Sequence, residues 1–206
     1  MKKTVILIIT LFTAVLTYAQ SDIQTVFKSS RVTGYGAITN KFTSIRGDFA
    51  NMVGAYGGVF IDRKVMIGVG GFSTTNKIVV PAEFSSIPGV DMSYGYVQTG
   101  LITEYVVASN KPIHLVLSMF AGAGFSYQYE HWSNPNYDWN VTHGPYDQNW
   151  SFVMEPGAQV EINLFRWMRL SPGVSYRRAY NSDGVGLSDS DLSDWNYSFT
   201  LKFGKF

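Results

Sequence analysis

The sequence predicts an all-β protein, an eight-stranded antiparallel up-and-down transmembrane β-barrel. Three observations carry that prediction. Long stretches alternate between apolar and polar residues with period two. The connections between them alternate between short and long. The composition joins 16% aromatic residues and 20 glycines to only 15% charged residues, against about 25% in typical soluble domains.

The alternation is clearest in "IHLVLSMFAGAGFSYQYE", Ile113 to Glu130. Its odd positions are Ile113, Leu115, Leu117, Met119, Ala121, Ala123, Phe125, Tyr127 and Tyr129, and none is charged. Its even positions hold His114, Ser118, Gly122, Gly124, Ser126, Gln128 and Glu130 among Val116 and Phe120. Period two means a strand with two different faces. Strands of soluble sheets run to about 5–6 residues, whereas a tilted strand crossing a bilayer needs about 9–11. This run is long enough to cross.

The same reading extends to the other strands. From Trp150 to Leu164 the even face is Trp150, Phe152, Met154, Pro156, Ala158, Val160, Ile162 and Leu164, opposite Glu155 and Glu161. From Met168 to Tyr180, Arg169 and Arg177 share the odd face with Ser171, Gly173 and Ser175. The last strand sets Trp195, Tyr197, Phe199, Leu201 and Phe203 against Asn196, Ser198, Thr200 and Lys202. Tyr94–Val107 is looser, with Val97, Leu101 and Tyr105 opposite Gln98, Gly100 and Glu104. The first three strands are placed near Arg31–Thr39, Phe49–Ile61 and Val65–Phe72. Their many glycines blur the faces, as interior strand glycines do at bulges, bends and close backbone approaches.

Connections at 62–64, 109–112 and 165–167 are short, and those at 76–92, 131–149 and 181–194 are long; one further link, near 44–48, is short. Outer-membrane barrels have short periplasmic turns and longer outer loops. In hydrocarbon every backbone polar group must find a partner, which only helices and closed barrels achieve. The apolar faces therefore meet outer-membrane lipid and the polar faces line the interior. Tyr127, Tyr129, Trp150, Phe152, Tyr176, Tyr180, Trp195 and Tyr197 are expected as an outer aromatic girdle, and Phe165, Trp167 and Phe203 as the inner one.

The first residues, "MKKTVILIITLFTAVLTYAQ", read as a secretory signal: Lys2 and Lys3, an apolar run from Thr4 to Leu16, and a small-x-small site ending at Ala19. The expected domains are a signal peptide over 1–19 and the barrel over 20–206. Cleavage removes two of 16 basic residues against 15 acidic ones, leaving a formal charge of −1. That balance gives no basis for nucleic-acid binding. The chain has no cysteine, so thiol catalysis and cysteine metal sites are excluded.

The inward face gathers Glu104, Glu155, Glu161, Arg169, Arg177 and Lys202. Three acids against three bases point to a neutralising interior network rather than an ion path, since eight strands leave a lumen that side chains fill. The tight turn at Arg166 sets residues of its two strands opposite each other, so that Glu155 faces Arg177, Glu161 faces Ser171, and Asn163 faces Arg169. Glu155 and Arg177 are expected to pair, with Arg169 and Lys202 near Glu161.

Trp132, Tyr137, Trp139 and Tyr146, in or beside the third long connection, are aromatic candidates for a sugar or an extracellular partner, or for packing that loop on the rim. His131, Asp138 and His143 fit no zinc spacing, and Asp189, Asp191 and Asp194 lack the pattern of a calcium loop. No metal and no cofactor is expected. Ser126, Glu130, His131 and Ser133 offer a lipid-modifying enzyme as an alternative, although a nucleophile needs a base in reach. A non-enzymatic role is the preferred reading. Arg46-Gly47-Asp48 reads as a turn that wants Gly and Asp. A soluble periplasmic carrier of apolar ligands is a second alternative, with the polarity of the two faces reversed.

The "YAQ" signal end, the Gly-rich "GAYGGVFIDRKVMIGVGGF" at Gly54–Phe72 and the terminal Phe206 resemble the small eight-stranded outer-membrane barrels of Gram-negative bacteria, the OmpA/OmpX-like group. The chain is particularly similar to barrels of the Bacteroidota, and the resemblance covers the whole mature chain. It implies a place in the outer membrane far more than a function; the expected role is that of a monomer that is structural or interacts at the surface with an extracellular partner through its loops. It also implies that the barrel-assembly machinery reads the last strand ending in Phe206. Gly204, third from the end, departs from the aromatic or apolar residue common there.

Overall fold

The computed structural model describes residues 32–130 and 145–205. They form a closed barrel of eight strands in sequence order, with the last strand pairing back onto the first. The strands are β1 (Val32–Ile45), β2 (Asp48–Ile61), β3 (Val65–Thr74), β4 (Met92–Val107), β5 (Ile113–Glu130), β6 (Tyr146–Asn163), β7 (Met168–Tyr180) and β8 (Asp194–Gly204). Every neighbouring pair is antiparallel. Closure leaves no unpaired sheet edge, which is the condition for exposing strands to hydrocarbon.

β1 differs from the sequence expectation. It runs to Ile45 rather than stopping near Thr39, and its link to β2 is a two-residue turn. Arg46 (φ 57°) and Gly47 (φ 82°) both take left-handed backbone, the geometry whose twist matches a β-hairpin. β6 likewise begins earlier than expected, at Tyr146.

The faces of β4–β8 follow the parity read from the sequence. Outward, Leu101, Leu115, Leu117, Phe125, Val160, Phe199 and Leu201 are exposed. Inward, Gln98, Glu104, His114, Ser126, Glu155, Glu161, Arg169, Arg177, Asn196 and Lys202 are buried. This polarity, apolar outside and charged inside, is the reverse of a soluble carrier's and overturns that alternative. In β1–β3 the inward residues are Tyr35, Thr39, Lys41, Met52, Tyr56, Phe60, Met66 and Phe72. Glycine makes room among them. A Cβ at Gly70 would lie 2.4 Å from the Tyr56 Cβ and 2.8 Å from the Ile102 Cδ1. One at Gly204 would lie 2.5 Å from the Tyr35 Cβ. Gly204, the departure near the carboxyl end, is thus the residue that lets Tyr35 reach the interior.

The aromatic rims form as expected. On the outer side Tyr176 packs edge-on against Trp195 with centroids 5.2 Å apart, and Phe152 lies 6.3 Å from Tyr180. At the inner end Phe165, Trp167 and Phe203 form a continuous stack, with centroid separations of 5.7 and 6.2 Å. Indole and phenol rings favour the level of lipid headgroups, so the two rims bracket the hydrocarbon band.

Candidate functional site: the charged interior and its outer cap

The six interior charges do not make one cluster. They fall into three groups along the barrel, each completed by residues that the sequence did not single out.

At the inner end Lys202 joins two acids. Its Nζ lies 2.9 Å from each Glu104 oxygen and 2.8 Å from Glu161 Oε2. Glu161 also accepts from Arg169 Nη1 at 2.5 Å and from Ser171 Oγ at 3.3 Å. His114 Nε2 lies 2.8 Å from the same carboxylate, and its Nδ1 lies 3.0 Å from the Lys111 carbonyl. Tyr35 and Tyr56 both donate their hydroxyls to Glu104, at 2.6 and 2.8 Å. Each acid is therefore met by cations and neutral donors together, which a buried carboxylate requires.

In the middle, Glu155 accepts from Lys41 Nζ at 2.7 Å, Ser175 Oγ at 2.6 Å and Gln98 Nε2 at 2.9 Å. Lys41 also sits 3.8 Å above the Phe72 ring, a cation–π contact strengthened by desolvation. A cavity of about 40 Å³ lies among these side chains, lined by Thr39, Lys41, Tyr56, Phe72, Glu104 and Glu155 among others.

At the outer end stands Arg177. Its Nε donates to the Leu192 carbonyl at 2.6 Å and its Nη2 to the Ser44 carbonyl at 2.8 Å. Its guanidinium lies 5.2 Å from the Tyr96 ring centroid. This corrects the expected Glu155–Arg177 pair. The hairpin register is the expected one, with Met154 opposite Arg178 and Asn163 opposite Arg169. The long Arg177 side chain instead takes carbonyls at the outer rim, while Glu155 is held by Lys41 from β1. Replacing Glu155 by Gln and Lys41 by Met in a double-mutant cycle should give strong coupling. The cycle of Glu155→Gln with Arg177→Met should give much less. Unfolding free energies in lipid vesicles measure both, and the reverse order would contradict this arrangement.

Above Arg177 the connections 75–91 and 181–193 cover the outer mouth. Ile78, Val80, Leu187 and Leu192 are buried there with Met92 and Tyr94. Tyr94 donates to the Val185 carbonyl at 3.0 Å. Gln128 donates to the Phe84 carbonyl and accepts from the Ser86 backbone and hydroxyl. Arg46 donates to the Gly186 carbonyl at 2.6 Å and lies over the Phe84 ring at 4.7 Å. The Arg46-Gly47-Asp48 tripeptide is thus built into this cap.

Of the loop aromatics, Tyr146 is half-buried against the interior core. Trp132, Tyr137 and Trp139 lie outside the described residues, as do His131, Ser133, Asp138, His143, the signal segment and Phe206. Ser126, in the enzyme alternative, is inward and 4% exposed, so it does not face lipid. Among the described residues no group of three or more acidic or His side chains is placed to hold a metal ion.

No protein-family model matches the chain, and no curated protein sequence matches it. Solved structures do. Neisserial surface protein A (NspA) is 11% identical, aligns over 87% of this chain and 100% of its own, and gives a TM-score of 0.51. A major outer membrane protein from Thermus thermophilus is 9% identical over 83% and 99% of the two chains, with a TM-score of 0.52. The N-terminal β-barrel domain of Pseudomonas aeruginosa OprF is 12% identical over 84% and 99%, at 0.48. With its apolar exterior and aromatic rims, the chain has the fold of the small eight-stranded outer-membrane β-barrels.

Proposed function

We propose that this is a closed, non-enzymatic outer-membrane barrel that acts at the cell surface through its outer loops. The observation that carries the reading is the filled interior. Side chains from β1, β4, β5, β6, β7 and β8 bond to one another inside the lumen, and two connections cap its outer mouth through Arg177, Tyr94 and Arg46. A barrel so filled offers no water path, and the outer connections are what it presents to a partner. In this reading the signal is removed after Ala19, and the assembly machinery inserts the chain by its last strand.

Two measurements test this. In planar bilayers the reconstituted protein should show no steady conductance; sustained open-channel currents would overturn the sealed lumen. On intact cells, an added protease should cut within 131–145 or 181–193 and leave the turns at 62–64, 108–112 and 164–167 whole. Cleavage at those short turns would reverse the orientation.

A further inference from the structure

The short turns carry a charge pattern that the sealed-barrel reading does not use. Arg63, Lys64, Lys111, Arg166 and Lys205 are all exposed at the inner end. Among the described residues none of their side chains has a hydrogen-bond or ion-pair partner. The one acid on these turns is Asp62, which is partnered. The described outer connections are the opposite: Glu83, Asp91, Asp183, Asp189 and Asp191 stand against Arg46 and Lys77. The described barrel is therefore electrically polar along the membrane normal, with its positive pole at the short turns.

That pole has shape as well as charge. Arg63, Ser109, Asn110, Asn163, Arg166 and Arg169 line a groove of about 680 Å³ between the turns. Arg169 is committed to Glu161, whereas Arg63 and Arg166 are not paired with any described residue. Arg166 stands between Phe165 and Trp167, two stacked rings that are 57% and 56% exposed. Rings of that kind settle at headgroup depth, so Arg166 stands at the same depth. A guanidinium there matches a phosphate in a planar, two-bond geometry.

We propose that this inner rim is a binding collar for anionic phospholipid, with the groove between Arg63 and Arg166 taking the headgroup phosphate. The inference rests on the outer-membrane orientation proposed above, which puts the collar at the periplasmic leaflet. Basic clusters beside a membrane are drawn to anionic lipid in this way. The collar would fix the barrel's depth and bias which lipids surround it.

The test uses the folded full-length mature chain in nanodiscs of equimolar phosphatidylglycerol and phosphatidylcholine. Lipid retained after gentle detergent extraction is counted by native mass spectrometry. Phosphatidylglycerol should exceed phosphatidylcholine by about fivefold or more, the factor expected for one basic residue at an anionic surface. The double variant Arg63→Gln/Arg166→Gln should lower the ratio several-fold, and Lys77→Gln at the other end should leave it unchanged. These positions are exposed, and heat-modifiable gel mobility verifies the fold of each variant. A ratio near one in the wild type, or an enrichment that the double variant leaves unchanged, overturns the proposal. If the unmodified barrel then still inserts and shifts on the gel, the membrane reading stands and only the collar falls. Binding of purified peptidoglycan through the same two arginines, with no lipid preference, would also overturn it and assign the groove to a glycan.

Discussion

Replacing Glu161 by Gln should destabilise the folded barrel by about 3–5 kcal/mol, the cost of stranding a buried charge whose partner is removed. Glu161 is 1% exposed and is the meeting point of Lys202, Arg169, His114 and Ser171. Gln keeps the shape and can still accept hydrogen bonds. It removes the charge that holds two buried cations in place. Lys202 retains Glu104 as a partner, which offsets part of the loss. Adding Arg169→Met to Glu161→Gln removes one of the two buried cations that Glu161 neutralises and should recover part of the stability. Urea titration in phosphatidylcholine vesicles, read by the fraction that keeps folded gel mobility, measures the effect. A loss below about 1 kcal/mol would mean that water already solvates this cluster.

The second large effect lies on the other face. Leu101 is 58% exposed between Val69 and Ala121 on neighbouring strands, well inside both aromatic rims. Leu101→Arg should cost about 2–4 kcal/mol, as charge on the lipid face of a barrel does near the midplane. Val107→Arg, at the inner end of the same strand, should cost about 0–1 kcal/mol. The gradient between the two is the signature of hydrocarbon, since a water-exposed strand would tolerate both alike. Equal, small losses at the two positions would place this surface in water.

Much of this is legible in the sequence because two constraints act along the chain itself. Period-two alternation marks the faces of β4–β8, and a tight turn fixes the register of the hairpin it closes. The turn at 165–167 thus gives Asn163 opposite Arg169. What the chain order does not carry is contact across the lumen. Lys41 reaches Glu155 from a strand 114 positions earlier, and β1 hides it because Gly34, Gly36 and Asn40 on one face mix with Thr39 and Lys41 on the other. His114 stands opposite Glu161 on the neighbouring strand, but the long connection between β5 and β6 does not fix that register as a tight turn would. The partners of Arg177 are hidden for a related reason. They are backbone carbonyls of Ser44 and Leu192, and a carbonyl left open at a rim has no sequence signature. The two-residue turn at Arg46-Gly47 is visible as a short link, but its cap role depends on Phe84 and Gly186, which only the closed barrel brings near.

The central claim is that a closed barrel turns an apolar, lipid-facing exterior outward and a filled, charged interior inward. The chain contains no cysteine, so single cysteines can be placed along β5 without background, from Leu115 to Phe125. Nitroxide labels at these sites, in reconstituted vesicles, report collision with oxygen dissolved in lipid and with a water-soluble relaxation agent. The structure predicts strict period two: high oxygen contact at Leu115, Leu117, Met119 and Phe125, and little contact with either agent at Val116, Ser118 and Phe120. Strong collision of the water-soluble agent at the odd positions would contradict a lipid-facing exterior, and at the even positions it would contradict a filled interior.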